Sequence, residues 1–423
     1  MRPWIVLLGL ALSWNSHAEQ LLIRAGKVLD VERGRVLSDQ MIRIDGERIV
    51  AIGDYKADAN GQWLDWSRYT VLPGLMDMHT HLADFVTSSE VAAPLYTSAA
   101  DAALQGVDNA RRTLRAGFTT VRDVGCYRAF TDVALRNAID RGIIDGPRMF
   151  VVGAYITVSG GGGEVTGFAP DVVVPAEMRR GVANSEPEIR QRVRELISGG
   201  ATFIKVIATG AVLTAGTTPG AAEYSEAEIH AAVDEAAQYG VFVAAHAHGA
   251  EGIKRAVRAG VRSIEHASYL DDEGIALMKK YGTWLVADIY NGDYIAEIGR
   301  RDHWSEEILR KNDETTQTQR DGFAKAVKAG VHIAFGTDSG VYPHGDNARQ
   351  FAYMVRYGLT SMDAIRAATL NSAQLLAKEK DLGSIAAGKL ADLIAVDGDP
   401  LQDIDNLRQI RGVIKAGRQI RLD

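Results

Sequence analysis

The chain has 423 residues, of which 46% are hydrophobic and 24% charged, the composition of a globular protein able to bury one large core and a smaller second one. A formal net charge of −7 leaves no basic excess and speaks against nucleic acid as a partner. The single cysteine, Cys126, excludes an intramolecular disulfide.

Residues 1–18 begin Met-Arg, continue with an apolar stretch from Trp4 to Trp14 and end Ser16-His17-Ala18. A short positive head, a brief apolar run and small residues before a cut after Ala18 are the pattern of a cleavable signal peptide, and predict a periplasmic or secreted protein starting near Glu19. A membrane anchor would need about 20 apolar residues. Residues 21–24, 41–44 and 48–52 then alternate as short strands do, with turns expected at Ala25-Gly26 and Asp45-Gly46. The same texture returns at 391–396 and 412–417. Both ends are therefore expected to build one small β-sandwich domain, from 19–72 and 376–423, around a middle domain of 73–375.

The middle opens on an apolar run, 71–82, that ends His79-Thr80-His81. On a strand, side chains alternate, so His79 and His81 share a face. They are half of a metal site, or two solvated histidines. Six times a helical stretch then stops at a glycine followed by a short apolar strand, at Gly117, Gly200, Gly240, Gly260, Gly282 and Gly330. Glycine takes the left-handed conformation past a helix end without a Cβ clash. Ser185 with Glu188 and Ser225 with Glu228 read as capping boxes at helix starts. With the strand ending at His79 and another at 148–152, the count predicts an α/β fold, a (β/α)8 TIM barrel, with a doubly wound open sheet as the alternative.

A barrel carries its chemistry at the C-terminal ends of its strands. Lys205 falls in strand 203–207, His246 and His248 close the strand that starts at Val241, His266 closes the next, and Asp338 ends 333–338. Each alone has a bland account: a core hydrogen bond, a snorkelling lysine, a capping aspartate. Recurring at matching places beside His79 and His81, they read as one site. The run 159–164 (Ser-Gly-Gly-Gly-Gly-Glu) lacks the lysine and hydroxyl of a P-loop and reads as a mobile active-site loop. Residues 341–347 are expected to line the pocket and bring His344 to it. Tyr127 and Arg128 lie just past the second strand, where the arginine either pairs a carboxylate or sits as a solvated cation.

In this order and on these strands, His79-Thr-His81, Lys205, His246, His266 and Asp338 resemble the ligand set of the amidohydrolase superfamily. The stretches 72–81, 119–125 (Thr-Thr-Val-Arg-Asp-Val-Gly), 263–267 (Ser-Ile-Glu-His-Ala) and 388–393 are similar to its branch of Xaa-Pro dipeptidase-like, Xaa-Arg/Lys carboxypeptidase-like and ochratoxinase-like enzymes. The resemblance implies two divalent metal ions, zinc foremost, with His79, His81 and Asp338 on the first, His246 and His266 on the second, and Lys205, carbamylated by carbon dioxide, bridging them. It further implies that the metals acidify a water and polarise a carbonyl, with Asp338 as the catalytic proton carrier. The reaction would be hydrolysis of the amide bond to a C-terminal amino acid in dipeptides or N-acyl amino acids, including ochratoxin-like N-acyl-phenylalanine amides. His248, with Tyr127 and His344, would meet the substrate. A homo-oligomer is implied, with no nucleic acid and no membrane as partner. A cyclic-amide hydrolase, a deaminase and a barrel that only binds stay open as alternatives, although Lys205 speaks against the mononuclear deaminase.

Overall fold

A computed structural model describes residues 20–57, 59, 61–84, 92–169 and 171–422; the signal segment expected over 1–18 lies outside them. In chain order the strands are β1 (Leu21–Asp30), β2 (Arg35–Asp45), β3 (Arg48–Asp54), β4 (Gln62–Pro73), β5 (Leu75–Thr80), β6 (Phe118–Asp123), β7 (Arg148–Phe150), β8 (Ile204–Ile207), β9 (Val243–Ala247), β10 (Ser263–His266), β11 (Trp284–Val286), β12 (Leu393–Val396), β13 (Ile410–Lys415) and β14 (Arg418–Ile420). No helix among the described residues is long and apolar enough to cross a membrane.

The two ends of the chain do meet, but in one continuous sheet of order β14-β13-β12-β4-β1-β2-β3 rather than the two separate sheets of a sandwich. The long β4, which local pattern did not reveal, makes the difference: it pairs parallel with β1 and antiparallel with β12, splicing the N- and C-terminal pieces. One apolar face gathers Ile23, Ile44, Trp66, Leu393 and Ile414 into a core of its own. The turn expected at Ala25-Gly26 is a bulge inside β1 instead. Gly26 is required there because a Cβ would stand 2.0 Å from the Ser67 carbonyl oxygen. The chain reverses later, at residues 31–34, while the turn at Asp45-Gly46 is as expected, with Gly46 at φ +56°.

Between the ends, parallel strands alternate with helices. They form a three-stranded sheet, β5-β6-β7, and a four-stranded one, β11-β10-β9-β8. All six punctuating glycines have positive φ, from 69° at Gly240 and Gly282 to 107° at Gly200. The eighth expected strand, 333–338, forms no ladder of its own, yet its backbone touches both sheets. Ala334 N donates to Leu285 O at 3.0 Å, Met78 N to Phe335 O at 2.8 Å and Asp338 N to His79 O at 2.8 Å. At the opposite seam, Ile156 N donates to Lys205 O and Ile207 N to Ile156 O, both at 2.8 Å. Asp77 fastens β5 to the eighth segment and to the loop after it, accepting from Thr337 Oγ1 at 2.6 Å and Asn347 Nδ2 at 2.7 Å.

Helix starts follow their chemistry unevenly. Ser225 caps the helix Glu226–Gln238 with a full capping box through Glu228. Ser185 occupies the same position before Glu186–Ser198 but makes no side-chain cap bond, because Glu188 turns back to Asn184 N at 2.6 Å instead. Ser225→Ala is thus expected to lose about 0.5–2 kcal/mol of stability and Ser185→Ala clearly less. Urea denaturation of both variants checks this, and equal losses would show that the Ser225 box carries no weight.

Candidate active site

The strand register brings the scattered polar residues to one place. His79 at the end of β5 and His81 just beyond it, Lys205 in β8, His246 in β9, His266 at the end of β10 and Asp338 at the end of the eighth segment line one cleft of about 110 Å³, and all are buried. The tightest donor set is His79, His266 and Asp338, whose ligand atoms lie within 4.8 Å of one another. Asp338 Oδ1 is also 3.2 Å from His81 Nε2. The rings of His246 and His266 are 4.5 Å apart, and those of His79 and His266 4.7 Å. His266 and Asp338 sit at φ +67° and +57°, left-handed conformations that non-glycine residues hold only under constraint.

Three of the imidazoles are held from behind. His79 Nδ1 is 2.9 Å from Glu265 Oε2, His81 Nδ1 2.8 Å from the Gly125 carbonyl, and His266 Nδ1 3.0 Å from Asp288 Oδ1. Each partner can only accept, so the proton belongs on Nδ1 and the Nε2 lone pair is left for the cleft. His246 is turned the other way, with Nε2 3.3 Å from Gly210 O. Burial, reinforced by Lys205, holds His79 well below the usual imidazole range, and burial with the neighbouring His266 does the same to His246. For His81, burial opposes protonation but the Asp338 carboxylate prevails and raises it. Burial brings Lys205 down to about 8, against the pull of Glu265. Imidazoles with free Nε2 atoms around a carboxylate fit a divalent ion.

Several residues of this arrangement were not singled out in the sequence. Glu265 is itself anchored by Arg122 Nη2 at 2.6 Å and Ser263 Oγ at 2.5 Å, and Arg122 also donates through Nε to Met78 O at 2.6 Å. Arg and Glu inside wholly buried strands, β6 and β10, were the available signal. Asp288, Asn291 and Gln319 follow or face β11 and carried no motif.

The expected substrate contacts divide. His248 and Tyr127 line the cleft. His248 Nδ1 is 2.7 Å from Ser268 Oγ, and burial with His266 holds it down to about 3. Burial pushes the Tyr127 phenol up. His344 is buried but is not among the described residues that line the cleft, and its ring nitrogens have no hydrogen-bond partner among them. Arg128 turns to the loop, donating to Thr97 O at 3.0 Å and pairing with Glu177 at 2.6 Å. Gly162 and Gly163 border the cleft as expected of their loop, but it is tied down: Gly162 N donates to Glu223 at 3.0 Å and its carbonyl accepts from Thr214 Oγ1 at 2.6 Å. The outer wall is largely neutral, with Leu213, Ile295, Asn312 and Thr315.

Residues 70–420 match the amidohydrolase family. Ochratoxinase of Aspergillus niger is 31% identical over 431 aligned positions, covering 96% of this chain and 86% of that protein. Among solved structures, a Xaa-Pro dipeptidase with methionine bound in its active site has a TM-score of 0.89 at 40% identity, over 95% of this chain and 99% of its own. The A. niger ochratoxinase structure has a TM-score of 0.82 at 28% identity, over 96% of each chain.

Proposed function

This chain belongs to the amidohydrolase family, and on that premise we propose that it is a metal-dependent hydrolase that cleaves the amide bond to a C-terminal amino acid in dipeptides or N-acyl amino acids, ochratoxin-like N-acyl-phenylalanine amides among them. The observation that carries this reading is the compact set of His79, His266 and Asp338 in one cleft with Lys205, His81 and His246 around it. A likeness to ochratoxinase and to a Xaa-Pro dipeptidase supports the substrate class.

His79, His81 and Asp338 would hold one divalent ion, His246 and His266 a second, and Lys205, as its carbamate, would bridge them; zinc suits imidazole and carboxylate donors. Such ions supply Lewis acidity toward a carbonyl oxygen and a water. The chain's own groups do the rest. Asp338 Oδ2 is held by Asn291 Nδ2 at 3.1 Å, while Oδ1 faces His81. It would take a proton from the attacking water and deliver it to the leaving nitrogen. His248, fixed through Nδ1 by Ser268, offers its other nitrogen to the substrate carboxylate, and Tyr127, kept protonated, offers a hydroxyl. Around this site, residues 73–375 form the (β/α)8 barrel closed through the eighth segment, and 19–72 with 376–423 the β-domain. Residues 1–18 direct export and are removed, and the mature chain assembles as a homo-oligomer.

The test uses purified, zinc-loaded protein on dipeptides and N-acyl amino acids, each as free acid and as C-terminal amide, with wild type and His248→Ala. Blocking the carboxylate is expected to cost about 1.5–3 kcal/mol in kcat/KM, the size of a hydrogen bond to a charged group. His248→Ala should cost a similar amount on the acid and little on the amide, since both changes delete one contact. Strictly additive losses would remove His248 from carboxylate recognition. An amide cleaved as well as the acid, or no hydrolysis of any substrate, would remove the proposed activity.

A further inference from the structure

None of the six proposed ligands comes from β11, yet the chain just past that strand places Asp288 on the cleft wall. Its carboxylate is buried, at 6% exposure, and both oxygens are in use. Oδ1 faces His266 Nδ1 at 3.0 Å and accepts from Gln319 Nε2 at 2.8 Å; Oδ2 accepts from Asn291 Nδ2 at 3.1 Å. The same Asn291 amide donates to Asp338 Oδ2 at 3.1 Å, and Gln319 also donates to the His266 carbonyl at 3.1 Å. Among the described residues His266 is the only ion-pair partner of Asp288. Glu265, its counterpart behind His79, is by contrast paired with the buried Arg122.

We propose that Asp288 is a positioning residue for the metal site, fixing His266 with its proton on Nδ1 and its Nε2 toward the donor cluster, and setting Asp338 through the shared Asn291 amide. The proposal rests on reading the cluster as a metal site. A carboxylate can only accept from Nδ1, so it selects one of two imidazole tautomers, and its negative charge makes Nε2 a better donor to a cation. Among the described residues no arginine or lysine is ion-paired with Asp288 as Arg122 is with Glu265, and its charge acts on His266 directly. Two neutral amides hold the anion without competing for it. Asp288 meets His266 at Nδ1, behind the ring, and is not part of the donor set of His79, His266 and Asp338, which separates it from the ligands themselves.

The experiment compares the wild-type chain with Asp288→Ala and the near-isosteric Asp288→Asn, titrated with Co2+ against a competing chelator and followed by the d–d absorption bands, with far-UV circular dichroism as the control for folding. Losing a carboxylate behind a ligating histidine weakens metal binding by about 10–100-fold. That loss, with shifted bands, is expected for Asp288→Ala, and a smaller one for Asp288→Asn, which keeps an acceptor oxygen at Nδ1. If Asp288→Ala does not fold, Asp288→Asn decides by the same two readings. Folded variants with wild-type affinity and spectrum would overturn the positioning role, and so would loss of a whole Co2+ equivalent in Asp288→Asn, which would make Asp288 a ligand. A wild type that takes up no Co2+ would instead remove the metal reading beneath the proposal.

Discussion

Arg122→Met is expected to lower the stability of the chain by about 3–5 kcal/mol, the loss typical when one partner of a buried ion pair is removed. Arg122 and Glu265 are both 0% exposed. The guanidinium lies 5.3 Å from the Phe203 ring centroid and donates to Met78 O, Ser263 Oγ and Glu265 Oε1. Methionine fills much of its volume but leaves the Glu265 carboxylate buried without its guanidinium partner, with Ser263 and His79 as its hydrogen-bond partners among the described residues and the Lys205 charge nearby. The penalty is the stranded charge more than lost packing. It follows that Arg122→Met combined with Glu265→Gln should lose less than the sum of the two single changes, since the double variant strands no charge. Urea denaturation of the four proteins measures the coupling. A single-variant loss below about 1 kcal/mol, as for a surface pair, or simple additivity, would show that the pair does not support the site.

That pair also marks where sequence reading stops. His79, His81, His246, His266 and Asp338 were legible because each stands at or near the end of an apolar run, and Lys205 because it interrupts one, while a parallel β/α repeat places these runs side by side. Their outer partners were not. Arg122 and Glu265 are 143 residues apart, and His79 and Glu265 186, so no local pattern links them. Only the register that sets β6 and β10 on either side of the cluster makes them meet. The terminal domain failed for the same reason. Most of its strands were visible one by one, but β4 was not, and whether they make one sheet or two depends on β4 pairing with β1 and, across more than half the chain, with β12. Ser185 and Ser225 carry the same Ser-x-x-Glu signal and differ only because Asn184 N is available to Glu188.

The cleft itself holds one residue whose chemistry contradicts its place, and its removal should have the largest effect on turnover. Lys205 is 2% exposed among imidazoles, where an ammonium would repel a divalent cation. Burial, opposed by Glu265 and reinforced by Arg122, holds it down to about 8 rather than its usual 10.5, so an uncharged amine is within reach near neutral pH. That is the form that adds carbon dioxide: the amine nitrogen bonds to the carbon, a proton passes to solvent, and the resulting carbamate is an anion of the kind the proposed metal pair would need between its ions. Lys205→Ala is therefore expected to lose bound metal and to reduce kcat/KM by at least about 10²-fold, more than removal of an outer-shell partner typically does. Short carboxylates added to the variant should partly restore both, because they supply the missing bridging anion without the tether. Metal content and turnover, measured on the same samples with and without added carboxylate, check the prediction. A variant with full metal and full turnover would mean that Lys205 bridges nothing, and loss of turnover with metal fully retained would move Lys205 from holding the ions to meeting the substrate.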